Sequence, residues 1–462
     1  MRSMAELAAI FKAYDVRGIV PDQLDEDLAR SIGAAFVSVT GAASTGVVVG
    51  HDMRPSSPGL AAAFADGAAR GGANVTMIGL ASTDELYFAS GHLGLPGAMF
   101  TASHNPARYN GIKLCRANAV PLGIESGLGD IRDLVAEEVG GGGGGVGAVV
   151  ERDVLEDYAA FLLSLVPGAG AGAGAGAGQR LRVAVDAGNG MAGHTAPAVL
   201  GRLDLDVVPL FFELDGTFPN HEANPIDPAN LVDLQAAVRR TGADIGLAFD
   251  GDADRCFVVD ERGEVVNPSL LTALIASREL ARVPGAAVIH NLITSRAVPE
   301  VIIEHGGTPV RTRVGHSFIK ATMAETDAVF GGEHSGHFYF RDFWRADSGM
   351  LAALHVLAAR GETDRPLSDL LAGFSRYVDS GEINSTVADQ AAVLADIERE
   401  YGDRNGVTLD RLDGLTVAHA DWWFNVRASN TEPLLRLNAE ARDQATLDRL
   451  RDDVLATIRR DA

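Results

Sequence analysis

Three carboxylates fall at alternate positions in Asp250-Gly251-Asp252-Ala253-Asp254-Arg255, directly after the apolar run Ile245 to Phe249. In an extended chain such side chains project to one side; curled in a loop, their oxygens converge on a hard cation. Mutual repulsion among three carboxylates demands a cation or a strong positive partner. The competing reading is a calcium EF-hand, because Glu261 stands at its twelfth position. That reading fails: Arg255 replaces the required sixth-position glycine, and Cys256-Phe257-Val258-Val259 reads as a strand inside the supposed loop. The spacing predicts a Mg²⁺ site.

A second chemical stretch is Thr101 to Lys113, where Ser103 precedes His104, Asn105 and Pro106 and follows the apolar Ala98-Met99-Phe100. Pro106 disfavours the helical region for Asn105, so the chain leaves a strand and enters a loop. A hydroxyl just beyond the carboxyl end of a strand meets ligands readily, though the same residues also suit a plain turn or helix cap. In Gly331-Gly332-Glu333-His334-Ser335-Gly336-His337, a carboxylate able to accept two sugar hydroxyls sits beside a hydroxyl and two imidazoles. A polar hairpin turn and a metal site are the alternatives there. The fourth stretch, Arg427-Ala428-Ser429-Asn430-Thr431-Glu432-Pro433, joins an arginine to hydroxyl and amide donors, with Arg436 close behind. Arginine grips phosphate bidentately, so this reads as a phosphate cradle, with Trp422 and Trp423 upstream taken as packing.

Strand and helix signals alternate around these stretches, which argues for parallel α/β domains. The segment Ala13 to Gly18, containing Arg17, reads as strand or loop; Asp25 to Val39 reads as helix, Gly46 to Gly50 as a buried strand, Pro58 to Gly71 as helix and Asn74 to Leu80 as strand. A second pattern opens at Leu181 to Asp186 and includes an amphipathic helix from Asn230, its N-cap candidate, to Thr241. A third begins near residue 261, and the tail from about 375 reads as α+β. The expected domains are residues 1–150, 151–260, 261–374 and 375–462, with the serine, metal, sugar and phosphate loops in that order. The glycine run Gly140 to Gly145 and the Gly/Ala alternation from Gly168 to Gly178 read as flexible surface insertions outside any cleft.

A formal net charge of −23 argues against nucleic acid and anionic membranes as partners, since phosphate backbones require a positive stripe. A few converging arginines and lysines still allow a small phosphorylated ligand. Only two cysteines occur, Cys115 and Cys256, far apart, so neither a disulfide framework nor a zinc site is expected. No apolar run is long enough to span a membrane and no signal peptide is evident, so a cytoplasmic location is the default.

Taken together, TASHNP, FDGDADR and GGEHSGH, in this order and followed by RASNTEP, resemble the α-D-phosphohexomutase superfamily, and within it the bacterial phosphomannomutase/phosphoglucomutase group. The resemblance runs from residue 13 to 433 and implies three similar α/β domains plus a smaller C-terminal domain around a central cleft. It implies that Ser103 is a phosphoserine and that Mg²⁺ is held by its phosphate with Asp250, Asp252 and Asp254. Arg17, His104 and Asn105 would flank that phosphate, and Arg255 would neutralise charge. Lys113, His316 and His337 would be candidates for proton transfer. Glu333 and Ser335 would bind sugar hydroxyls; Arg427, Ser429, Asn430 and Thr431 would hold the phosphate that is not transferred. The implied activity interconverts hexose 6-phosphate and hexose 1-phosphate through hexose 1,6-bisphosphate. The segment 331–350 resembles the phosphomannomutase group more than the glucosamine one, which makes mannose phosphates the expected substrates, with phosphoglucomutase or glucosamine-phosphate mutase specificity the alternative. A metal-dependent sugar phosphatase and a non-catalytic sugar-phosphate-binding protein are the competing readings; monomer and dimer both stay open. One departure stands out: some relatives carry a substrate-binding lysine after His290, where this chain reads Asn291-Leu292-Ile293-Thr294-Ser295-Arg296.

Overall fold

Buried from both faces, the valine-rich strand Val47–His51 lies between parallel neighbours Val75–Leu80 and Gly97–Phe100, as its continuous apolar run requires. This computed structural model describes residues 2–137, 145–169, 180–428 and 434–460, apart from the side chains of His316 and Ser317. Most of both glycine-rich stretches lies outside the described residues.

Four sheets organise the chain. The first runs Val16–Ile19, Tyr109–Arg116, Gly97–Phe100, Val47–His51, Val75–Leu80 and Val149–Glu151, with Val120–Pro121 folded back on Tyr109–Arg116. The second is Val265–Val266, Cys256–Asp260, Ile245–Phe249, Leu181–Asp186 and Leu205–Leu210. The third is Thr308–Thr312, Ala287–Asn291, Phe330–Gly332, Phe338–Phe340 and Ala346–Asp347. Each is mixed: parallel strands continue into an antiparallel edge. The fourth sheet, Val378–Thr386, Leu434–Ala441, Trp422–Ala428, Leu415–Ala418 and Thr408–Asp410, is wholly antiparallel and packs against helices Gln390–Gly402 and Gln444–Ile458.

Two local expectations change. The helix expected from Asn230 begins at Val232, because Asp227 caps a 3-10 turn, Pro228–Leu231, whose proline fits the first helical position. Helices Thr83–Leu93 and Gly349–Gly361 gave no amphipathic stripe to read. They are buried on nearly every side, and the second at every residue.

The cores explain how the domains relate. One apolar cluster takes Phe88 and Met99 from the first sheet's unit, Val185 and Phe249 from the second and Phe330 and Met350 from the third. Trp344 of the third lies flat on helix Thr83–Leu93, where a Cβ at Gly91 would sit 2.2 Å from its ring, and it stacks on Phe161. The fourth sheet has its own core, built on Tyr401, Phe424, Leu437 and Ile458. It meets the rest through a small apolar patch of Leu292, Ile293 and Trp423. Arg296 adds to that seam by donating to the carbonyls of Ala420 and Trp422.

Buried acids cluster at the start of helix Thr83–Leu93. Asp84 accepts from Ser348 Oγ at 2.6 Å and Tyr158 OH at 2.8 Å, tying three segments together, and burial pushes it up to about 6. Glu85 is 1% exposed, its Oε2 accepts no hydrogen bond from the described residues, and His194 Nε2 lies 3.9 Å away. Burial, with Asp84 beside it, pushes Glu85 up to about 8. The folded protein therefore keeps a proton on Glu85 that the unfolded chain releases above its ordinary carboxylate value of 4.5. The linked stability is complete below 4.5 and is lost as pH rises towards 8. Glu85→Gln should remove this slope, so that it melts above wild type at pH 8 and close to it near pH 4.5; equal melting curves for both proteins across this range would refute the assignment.

Candidate active site

The three loops that follow Gly97–Phe100, Ile245–Phe249 and Phe330–Gly332 hold equivalent places. Each joins a parallel strand to its antiparallel neighbour, and all three open on one junction. Their backbones touch. Cys256 N donates to Gly336 O at 3.1 Å, Arg255 bridges His337, and a Cβ on Gly251 would lie 2.4 Å from the Ser103 carbonyl oxygen. That last contact leaves room only for glycine between the flanking aspartates.

Ser103 takes a positive φ of 48°, and its amide donates to Thr101 Oγ1 at 2.9 Å. The left-handed turn throws Oγ away from its own strand to donate to Asp250 Oδ2 at 2.7 Å, while His104 Nδ1 lies 3.1 Å from the same oxygen. Arg255 reaches across with NH2 3.5 Å from Ser103 Oγ and 2.7 Å from His104 Nδ1. An imidazole nitrogen facing a guanidinium can only accept. Burial, with Arg255 and Arg17 close by, holds His104 neutral and down to about 2. Arg17, on strand Val16–Ile19, donates to Asn105 Oδ1 at 2.5 Å and pairs with Asp15.

The three aspartates are almost wholly buried, and two cations answer them. Arg255 binds Asp250 with Nε at 2.9 Å and its own amide at 3.1 Å. Lys113 places Nζ 2.7 Å from Asp252 Oδ2 and 2.6 Å from Asp254 Oδ2, and Thr83 Oγ1 donates to the same Asp252 oxygen. Burial pushes Asp250 up against the pull of Arg255. It acts in the same sense on Asp252, but there Lys113 prevails and holds the carboxyl below its ordinary range. For Lys113, burial favours the neutral amine, yet Asp252 and Asp254 raise it well above the lysine value. Three carboxylates facing two cations leave a net negative site, and Oδ1 of Asp252 and of Asp254 are buried without a hydrogen-bond partner among the described residues. One oxygen from each of the three aspartates falls within 4.8 Å of the others. An all-oxygen donor set with orphaned carboxylate atoms fits a hard divalent cation.

On the other side of Lys113 lies His337, whose Nδ1 donates to Asp347 Oδ2 at 2.9 Å and stands 3.8 Å from Asp254 Oδ1. Burial lowers His337, but Asp254 and Asp347 together raise it. The far oxygen of Asp347 is 2.7 Å from Lys320 Nζ, itself buried over the Tyr87 ring. A cavity of about 280 Å³ lies among these groups, lined by Arg17, Ser103, His104, Lys113, Ser335 and His337.

The other predicted residues sit farther along the same seam. Glu333 is buried and fully engaged: Oε1 accepts from Gly315 N and Asn291 Nδ2 at 3.2 and 3.3 Å, and Oε2 from Tyr339 OH at 2.7 Å. It thus fixes its own loop, while Ser335 and His337 face the Ser103 cavity. Arg427, on Trp422–Ala428, lies near Glu382 and Asp413. Ser429, Asn430 and Thr431 fall outside the described residues, as does the side chain of His316, whose backbone begins helix His316–Thr326. Trp423 is buried and Trp422 stacks on Phe424, so both are packing residues as expected.

Comparison with known proteins finds the phosphoglucomutase/phosphomannomutase models along the whole chain: alpha/beta/alpha domain I at residues 8–138, domain II at 157–263, domain III at 267–377 and the C-terminal domain at 382–457. The chain belongs to the phosphoglucomutase/phosphomannomutase family. Among its curated relatives, the phosphohexose mutases of Xanthomonas campestris pv. campestris are 41% identical, over 97% of this chain and 99% of theirs. The phosphomannomutase of Salmonella typhimurium is 39% identical over 97% and 98%. The crystal structure of a phosphoglucomutase/phosphomannomutase family protein from Burkholderia thailandensis superposes with a TM-score of 0.87 at 33% identity, over 100% of this chain and 99% of that one.

Within this phosphoglucomutase/phosphomannomutase site, residue reasoning missed Arg54, although His51-Asp52-Met53-Arg54-Pro55 directly follows a buried strand. Arg54 is completely buried and pairs with buried Asp52 at 3.2 Å. Its guanidinium donates to four carbonyls of the serine loop, those of Ser103, Asn105, Pro106 and Tyr109, at 2.7–3.1 Å. This one side chain therefore holds the left-handed turn that aims Ser103. A lone arginine before a proline carries no motif, and only the fold reveals its partners. Arg54→Met would leave Asp52 buried without its cation and should cost about 3–5 kcal/mol in denaturant unfolding. Adding Asp52→Asn should recover part of this, and a double variant as unstable as the single would contradict the pairing.

Proposed function

We propose that the chain is a phosphohexomutase that interconverts hexose 6-phosphate and hexose 1-phosphate, with Ser103 as the phosphoryl carrier. One observation carries the reading: Ser103 Oγ stands at the wall of a small cavity, 2.7 Å from Asp250 and beside Arg255, with Lys113 and His337 lining the same space. A nucleophile, anion-stabilising groups and proton carriers thus share one site. The proposed domains are residues 1–150, 151–260, 261–374 and 375–462, and the first three each bring one loop to it.

Phosphoryl transfer asks a protein mainly for positioning and charge stabilisation. In the forward half-reaction, the bond between phosphorus and Ser103 Oγ breaks while a bond forms to a free sugar hydroxyl oxygen. The hydroxyl proton passes to a base of the cavity. His104 is unsuited to this because its Nδ1 already accepts from Arg255, so it orients the phosphate together with Arg17 and Asn105. His337, with Nδ1 committed to Asp347, keeps Nε2 for the ligand, and Lys113 supplies a proton to the departing Ser103 oxygen. The second half-reaction reverses these roles after the hexose 1,6-bisphosphate turns over, returning its other phosphate to Ser103. Asp250, Asp252 and Asp254, with the Ser103 phosphate, are the residues that would hold Mg²⁺, which supplies charge neutralisation on the phosphoryl oxygens when bound.

Glu333 steadies the sugar loop so that Ser335 meets the sugar hydroxyls; Arg427, Ser429, Asn430 and Thr431 hold the phosphate that stays. Mannose phosphates are the preferred substrates in this reading, with glucose phosphates second. Low exposure of Ser103, 6%, disfavours attack by water and hence the phosphatase alternative.

Ser103→Ala should lose about 10⁴-fold or more of the conversion of mannose 1-phosphate to mannose 6-phosphate, and its intact mass should lack the one phosphoryl group of wild type. An unphosphorylated wild type together with full turnover by Ser103→Ala would remove Ser103 from the reaction. Chelation of divalent metal should abolish turnover while leaving the far-UV circular dichroism intact. Activity that survives would remove the metal role from the three aspartates.

A further inference from the structure

Arg427 and Arg436 stand directly opposite each other on antiparallel strands Trp422–Ala428 and Leu434–Ala441. Like charges in directly opposed positions repel, so the pair requires a counter-charge. It comes from the third strand of the same sheet. A register shift between Asp379 and Glu382 sets Glu382 opposite Asn438, diagonal to Arg436. From there its carboxylate reaches both guanidinium groups, with Oε2 3.5 Å from Arg427 NH2 and Oε1 3.6 Å from Arg436 NH1. Asp413 adds a looser contact to Arg427 at 3.8 Å.

These ion pairs are long. A well-formed charge-assisted hydrogen bond spans about 2.7–2.9 Å, so Glu382 neutralises the arginines without engaging their donors. Nε of Arg427 and Nε of Arg436 are both buried and lack a hydrogen-bond partner among the described residues. The arrangement combines two guanidiniums, uncommitted donors and a carboxylate spread between them. Glu382 and His334 line one cavity of about 630 Å³.

We propose that Glu382 is a built-in competitor for the ligand's phosphate: it neutralises Arg427 and Arg436, and sugar phosphate binds by displacing it from them. Arg436 is then the second guanidinium of the phosphate cradle, and Glu382 is the positioning residue that sets its affinity. The device keeps two opposed cations folded side by side, and it weakens phosphate binding enough for a ligand that must let go, turn over and rebind. The inference rests on the phosphate-cradle reading of Arg427 given above.

The test is calorimetric binding of glucose 6-phosphate and of inorganic phosphate to the full chain carrying Ser103→Ala, which prevents turnover. Adding Glu382→Gln should tighten both ligands by about fivefold, because one competing charge is gone while the side-chain shape is kept. Adding Arg436→Met instead should weaken both by about tenfold. Unchanged or weaker binding in Glu382→Gln, with an unaltered melting curve, overturns the proposal. If Glu382→Gln fails to fold, Glu382→Asp decides, since withdrawing the carboxylate by one methylene should also tighten binding, and failure to do so overturns the proposal equally. Should the Ser103→Ala protein with Glu382 intact bind neither ligand, the cradle reading itself falls. If it binds both and only the predicted tightening is missing, the competitor role alone is lost.

Discussion

Three carboxylates buried within one short loop constitute the electrostatic problem around which this molecule is arranged. Asp250, Asp252 and Asp254 are each at most 1% exposed, a placement that would be prohibitive without compensating positive charge. Compensation is drawn from two sheets: Arg255 from the loop itself, and Lys113 from strand Tyr109–Arg116 of the first sheet. The charges therefore act as a joint between domains as well as a site. Removing either cation would leave a buried carboxylate unpaired, so the position of the serine loop relative to the aspartate loop is enforced by Coulomb energy rather than by shape alone. Ser103 inherits its orientation from this joint, with Arg54 holding the loop from behind and Asp250 accepting the hydroxyl from in front.

Packing reinforces the same division. A shared apolar core joins the first three sheets, so the serine, metal and sugar loops are carried by one continuous body. The fourth sheet closes its own core and meets that body over a small patch, with Arg296 and the Arg311–Asp410 pair along the seam. Leu292 and Ile293, in the loop after His290, pack on Trp423, and Arg296 of the same loop is committed to carbonyls of the fourth sheet. In the proposed function, the phosphate that is not transferred is held by the fourth sheet, where Arg427 and Arg436 stand opposite each other.

Much of this was legible in the residues. Val47–His51, Ser57–Arg70, Val75–Leu80 and Leu181–Asp186 fall where periodicity and turn chemistry put them. Ser103, the three aspartates and His337 come together at one junction, as their types and order suggested. What stayed hidden was hidden for physical reasons. Thr83–Leu93 and Gly349–Gly361 are buried all round and so carry no polar face to set their period. Arg54 and Glu382 act through partners far away in sequence, and no local spacing announces a guanidinium that binds carbonyls some fifty residues later. Glu333, expected to bind sugar hydroxyls, also accepts three hydrogen bonds, from Asn291, Gly315 and Tyr339, which anchor its own loop.

The most direct measurement of the central claim is a single-turnover chase. Protein carrying a radiolabelled phosphoryl group on Ser103 is mixed with unlabelled glucose 6-phosphate and quenched at short times. The account predicts that label leaves the protein and appears in hexose bisphosphate and then in hexose monophosphate, with the Ser103 peptide as its only source. Release of the label as inorganic phosphate, or its retention on the protein while sugar phosphate turns over, would contradict it.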